Sequence, residues 1–428
     1  MPEVKPGNDR SRWHYGWVIV PLAALAMAAT LPGRTHGLGL VTKPLLEDFS
    51  RLSPESFARI NALATLFGAA FCLPCGWLID RIGLKHTLGG VLLALGLVIY
   101  WLAHVHDEVQ LSLALMLTRG LGQSMLSVVS ITMVGKWFPK NVSVAMGIYA
   151  VLMSLLMAIS FGVVGARVQS LGWRGAWQEV AWGLIALAPL CWLATRNAPR
   201  ANLDDAPANE GRDRQAALSA SWQQALASPC FWVFAGAISL FGMASSGISL
   251  FQQFILESRG LGANVFLLSG VIGLLTGMLA NLAFGGLAKL LPLQLLLAAT
   301  MGLLTISLGM LPLITEDWHA YAFAVIHGIA GGGLTVLFFA IWGHAFGSAH
   351  LGRIQSAAQM MTVFASALGP LLVADSEARS ASYGPILWLF AAVSLGFAIA
   401  ATMIRVPSAQ AGDWNSLEPA GELAAAES

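Results

Sequence analysis

Apolar stretches of roughly 20 residues recur along the chain, separated by short polar connections. They fall near 15–40, 57–79, 86–104, 111–134, 143–166, 176–195, 229–254, 264–287, 292–314, 321–342, 353–373 and 385–404. A helix of about 20 apolar residues crosses a hydrocarbon core of ~30 Å. The pattern therefore predicts an all-α membrane protein with twelve transmembrane helices, numbered as spans 1–12. One long polar connection, residues 196–228, contains RNAPRANLDDAPANEGRDRQ, a mixed-charge segment with no core-forming pattern, and reads as a linker. It divides the chain into bundles 15–195 and 229–404, with tails at 1–14 and 405–428. Just before span 7, SASWQQALASP predicts a short interfacial helix.

Composition strengthens the membrane reading. The 428 residues are 57% hydrophobic and 11% charged, whereas soluble domains carry about 25% charged residues. A net charge of +1 gives no case for nucleic-acid binding. With the N-terminus placed in the cytoplasm, the cytoplasmic loops and tails hold 14 of the 23 Lys and Arg. The positive-inside rule thus predicts both termini in the cytoplasm and a multi-pass protein of the cell membrane, a bacterial inner membrane in this reading. The first apolar stretch is too long for a signal peptide and lacks a clear cleavage site, so it is expected to be retained. Cys72 and Cys75, in CLPC, lie inside a span and read as apolar packing.

The two bundles show traces of a repeat. A shift of 208 residues lays Arg119-Gly120 on His327-Gly328 and Gly135 and Phe138 on Gly343 and Phe346. Two duplicated halves suit alternating access, with one bundle rocking against the other around a midplane site.

Between spans 2 and 3 the chain reads GWLIDRIGLKHTL. Gly76, Asp80, Arg81, Gly83 and Lys85 fit G-x-x-x-D-[RK]-x-G-x-[RK], with His86 at the place of a further basic residue. This resembles the cytoplasmic signature of the major facilitator superfamily, and span count and central linker extend the resemblance along the chain. The resemblance implies the major facilitator fold, two pseudo-symmetric six-helix bundles, with the motif as a conformational latch. A loop that merely sets topology is the plainer reading. WHYGWVIV at 13–20, GWRGAW at 172–177 and SPCFW at 228–232 are similar to bacterial monocarboxylate and oxalate/formate carriers. Unlike many of those carriers, 264–287 holds neither Asp nor Arg.

Charge inside the spans supplies the candidate chemistry. No Asp or Glu falls in the central part of a predicted span, which leaves Arg34, Arg119 and His327 as the deep ionisable residues. A mid-helix charge costs about 2.5–3.5 kcal/mol on insertion scales, so each needs a partner, water or a function. Arg119 heads a polar stripe with Gln123, Ser127 and Ser130, which fits a wet cavity binding an anion; bonding to backbone carbonyls fits equally. Arg34, in TLPGRTHGLGL, follows a Pro32 that loosens its helix. It reads as a substrate contact or as a cation reaching toward the outer interface with Lys43. His327 is the candidate for proton coupling, against a plain role in packing. His36, His104 and His344 fall nearer span ends and rank lower. Gln252 in span 7 and Gln355 and Gln359 in span 11 are further substrate-binding candidates.

These features predict a secondary transporter of a small organic anion, a monocarboxylate, working by proton symport or anion exchange. A multidrug or neutral-solute exporter is the second reading. The expected functional unit is a monomer in lipid, without cofactor or metal. No nucleophile–base constellation suggests an enzyme, and no G-x-x-x-x-G-K-[ST] motif suggests ATP drive.

Overall fold

The computed structural model describes residues 9–138, 142–196, 220–347 and 351–407. The tails beyond these limits and most of the linker lie outside the described residues.

Local signals set many helix starts. Helix α1 covers Asp9–Ala28, a short 3-10 turn follows at Leu31–Gly33, and α2 covers Thr35–Asp48. Helix α3, Pro54–Ala69, begins with proline in its first turn and a Ser53 side chain that accepts from the Ser56 N–H. That combination pre-sets φ and satisfies an orphan donor. Helix α4, Cys72–Leu102, turns at Gly83, whose φ of 82° a side-chain-bearing residue rarely adopts. Helix α5, Glu108–Thr118, is capped by Asp107 and runs into a π-helix at Arg119–Leu126, which α6 continues over Ser127–Trp137. Helix α7, Val142–Ala194, turns at Gly172, with φ 73°.

A capping box between Ser221 and Gln224 opens α8, Trp222–Ala227, where an interfacial helix was expected. Then follow α9 (Pro229–Glu257), α10 (Ala263–Leu287) and α11 (Leu293–Met310). Helices α12 (Asp317–Phe346), α13 (Leu351–Ser380) and α14 (Gly384–Met403) complete the chain.

These elements assemble into the twelve spans. Span 1 is α1, the turn and α2; span 2 is α3 with α4 as far as the Gly83 turn, and the rest of α4 is span 3. Span 4 is α5, the π-helix and α6; α7 supplies spans 5 and 6; α9–α14 supply the remaining six. Span 1 departs from the sequence pattern in two ways. Span 1 does not end near residue 40 but continues to Asp48, and it is broken at Thr30–Arg34 rather than continuous. Pro32 cannot donate a backbone hydrogen bond, which explains the break.

Close backbone approach holds the helices inside each half. A Cβ on Gly328 would lie 2.6 Å from the Gly273 oxygen, and one on Gly332 would lie 2.3 Å from that of Gly277, so α10 and α12 meet almost backbone to backbone. The halves join through α2 with α9, α3 with α13, and α7 with α10. These joints gather at the end remote from the termini. There a Cβ on Gly39 would sit 2.0 Å from the Ser249 oxygen. Phe161 meets Phe266 edge-on, with centroids 6.2 Å apart. Lys43 on α2 pairs with Glu257 on α9, and Glu257 also accepts from Gln253 at 3.0 Å. A crevice of about 180 Å³, lined by residues including Leu40, Lys43, Gln253 and Phe266, remains between the halves there.

Candidate functional site

The break in span 1 builds the centre of the molecule. Its turn presents Gly33 to span 4, where a Cβ would lie 2.7 Å from the Thr118 oxygen and 2.8 Å from the Gln123 nitrogen. Only a bare α-carbon lets the two backbones come this close.

Arg119 fills the junction and is 3% exposed. Its Nη1 donates to the Gly33 carbonyl at 3.1 Å, to Thr35 Oγ1 at 3.1 Å and to Gln123 Oε1 at 2.8 Å. Its Nη2 donates to Asn61 Oδ1 on α3. One guanidinium therefore ties together spans 1, 2 and 4. The remaining stripe also faces span 1 rather than open water. Ser127 accepts from Arg34 at 3.2 Å, and Ser130 donates to the Ala23 carbonyl at 2.7 Å while bonding the Tyr149 hydroxyl.

Arg34 is held differently. It is half-buried, with Nε donating to Thr30 Oγ1 at 2.8 Å and Nη2 to Met27 Sδ at 3.0 Å as well as Ser127. Its partners are two hydroxyls and a thioether, and Nη1 makes no hydrogen bond among the described residues. It points inward and leaves Lys43 to the far-end ion pair. Neither Arg34 nor Arg119 has a carboxylate partner among the described residues. The next helix, α2, starts at Thr35 with no side-chain cap, so its first N–H groups lack intrahelical acceptors beside Arg34.

His36, ranked low on sequence, stands in this site. It is solvent-exposed, two residues beyond Arg34 and next to Thr35, which accepts from Arg119. On α2 it shares a face with Gly39 and Lys43, three and seven residues on, which meet Ser249 and Glu257 of the opposite half, so it faces the gap between the halves. Only the extension of span 1 to Asp48 reveals it as interior.

On the opposite wall, His327 is hydrogen-bonded at both ring nitrogens, to Ser245 at 2.9 Å and Ser307 at 3.3 Å. Its ring lies between Phe323 and Phe241, with centroids at 5.3 and 5.6 Å. Gln252 donates to Ser269 at 3.2 Å, joining α9 to α10. Gln355 and Gln359 do not reach this level. Thr362, one turn from Gln359, meets Ser239 at 3.4 Å. Ser239 itself lies about 9 Å along α9 from Ser245, at 1.5 Å per residue. Gln359 is solvent-exposed toward the linker end.

In the GWLIDRIGLKHTL segment, Arg81 lies 4.9 Å from the Trp77 ring and Lys85 lies 4.0 Å from that of Trp192. The side chains of Gly76 and Asp80 lie outside those described. The GWRGAW segment is a structural hub: after the Gly172 turn, Arg174 donates to the Ala103 and Val105 carbonyls and, with Trp173, to Asp48. Among the described residues no group of three potential metal ligands occurs.

Comparison with known proteins agrees with this architecture. Residues 16–370 match the Major Facilitator Superfamily, and the chain belongs to that family. It is a multi-pass membrane transporter. Its fold is similar to that of a bacterial homologue of the human lysosomal transporter Spinster. In the inward-facing, unoccupied conformation the TM-score is 0.66 at 17% identity, covering 97% of this chain and 98% of the other. In the inward-facing, occupied conformation it is 0.61 at 15% identity, covering 97% of each. No curated protein sequence matches the chain.

Proposed function

We propose that the protein moves a small organic anion, a monocarboxylate, by alternating access as a secondary transporter of the cell membrane. One observation carries this reading. Arg34 faces the interior with an unengaged Nη1 and no carboxylate partner among the described residues. An arginine in the membrane without a counter-charge is stabilised by an anionic ligand, and its planar fork suits a carboxylate. Arg34 holds the anion, while Arg119 and Gln123 keep the broken helix in place behind it.

With both termini in the cytoplasm, the joined end faces out and the cavity opens inward. Lys43 with Glu257 then forms part of the outer gate. The functional unit is a monomer in lipid. Substrate enters with a proton or in exchange for another anion, and His327, held by Ser245 and Ser307 on the opposite wall, is the proton-coupling candidate. Gln252, Gln355 and Gln359 line the path rather than the Arg34 site, and Arg81, Gly83 and Lys85 act with Gly76 and Asp80 as the latch at the linker end.

The test is uptake of radiolabelled short monocarboxylates into proteoliposomes, under an inward proton gradient and separately with internal anion. Wild-type protein accumulates label in at least one regime, and Arg34→Ala lowers uptake at least tenfold. A loss of one charged hydrogen-bond partner, about 1.5–3 kcal/mol, gives that factor. Uptake of neutral or cationic solutes alone would instead support the exporter reading, with Arg34 permanently held by Thr30, Met27 and Ser127.

A further inference from the structure

His36 stands two residues beyond Arg34, on the same side of the gap, and its placement suits a specific task. Its ring is solvent-accessible and its nitrogens make no hydrogen bond among the described residues. His327 differs, because both of its nitrogens are already committed to Ser245 and Ser307. Arg34, Thr35 and His36 leave the break in sequence, and each has a separate use. Thr35 accepts from Arg119 and is thereby fixed; on either side of it, Arg34 keeps Nη1 and His36 its ring nitrogens for a ligand.

We propose that His36 is a second substrate contact, pairing with a hydrogen-bonding substituent next to the carboxylate that Arg34 holds. This rests on the anion-transport reading. When the gap closes around a substrate, water leaves the imidazole, and an unpaired buried polar group costs about 1–3 kcal/mol. An acid carrying a hydroxyl near its carboxylate restores the bond; a plain aliphatic acid of the same length leaves the ring unpaired. Sites built to bond a substrate hydroxyl reject the analogue lacking it far more strongly than apolar pockets separate homologues. His36 therefore makes the carrier selective for hydroxy-substituted over unsubstituted short acids.

The probes are propanoate and 2-hydroxypropanoate, compared as radiolabelled substrates and as competitors in proteoliposomes containing the full chain. Wild-type protein takes up the hydroxy acid with a KM about tenfold or more below that of propanoate. In His36→Ala the ratio falls toward one, chiefly through a higher KM for the hydroxy acid, and His36→Asn restores part of it. Binding to purified protein, read as a ligand-induced rise in Tm, gives the same ratios if a variant transports poorly. An unchanged ratio in His36→Ala, or no preference in the wild type despite uptake of both acids, overturns the role of His36. Uptake of neither acid and no Tm response to either overturns the role of His36 for these acids. Arg34→Ala separates the two readings: it abolishes uptake of both acids if the anion site is right, whatever His36 does.

Discussion

Arg119 Nη1 donates to the carbonyl oxygen of Gly33 across 3.1 Å, joining span 4 to a backbone group in the break of span 1. The arginine that looked costly in an apolar run is satisfied by the irregular backbone it holds, by Thr35, and by Asn61 on a third span.

Arg119→Ala would leave Asn61 and the Gly33 carbonyl without this donor. Each buried acceptor left unsatisfied costs about 1–3 kcal/mol where it cannot rehydrate. The expected result is a large fall in Tm in detergent, measured by fluorescence, together with loss of transport. Lys in its place does not rescue, because an ammonium cannot span acceptors on three helices as a planar fork does. A wild-type Tm for Arg119→Ala would contradict this.

Gly39 lies against the Ser249 carbonyl with no room for a methyl group. Gly39→Ala therefore forces α2 from α9 and opens the far end. Spin labels placed on the exposed residues Glu47 and Arg259 should report a longer distance distribution than in the parent. An unchanged distribution would show that the contact does not set the gate.

Lys43 and Glu257 are each a little under one-third exposed, 29% and 28%, and solvent screens part of their attraction. Neutralising either one is expected to shift the gate by about 1 kcal/mol at most, roughly a fivefold change in population. The charge-reversed pair Lys43→Glu with Glu257→Lys should recover part of the shift in the same distance measurement. Single reversals should not.

Arg174 closes two carbonyls, those of Ala103 and Val105, and bonds Asp48. Arg174→Ala is expected to lower stability by about 1–3 kcal/mol through the unsatisfied carbonyls. Thermal unfolding reads the effect, and KM for transported acid should change little because the hub lies away from Arg34.

Apolar run length made the spans legible, since nothing but a helix or closed barrel satisfies its backbone in hydrocarbon. The site was only half legible. Arg34, Arg119 and Gln123 stood out as polar residues in apolar runs, and backbone carbonyls were already one reading for Arg119, but its acceptors Gly33, Thr35 and Asn61 lie on other spans that no local pattern pairs with it. His36 was missed for a related reason. Lys43, Pro44 and Glu47 mimic the end of a membrane helix, while in the fold Lys43 is paired with Glu257 and α2 continues past it. Gln355 and Gln359 shared a helical face with Thr362, yet periodicity gives a face and not a depth.

The central claim is that Arg34 holds a transported anion. Proteoliposome uptake of radiolabelled 2-hydroxypropanoate and propanoate, compared between wild type and Arg34→Ala at equal reconstituted and folded protein, tests it most directly. The account predicts saturable uptake by wild type and at least a tenfold loss in the variant for both acids. Equal uptake by the two proteins would contradict it.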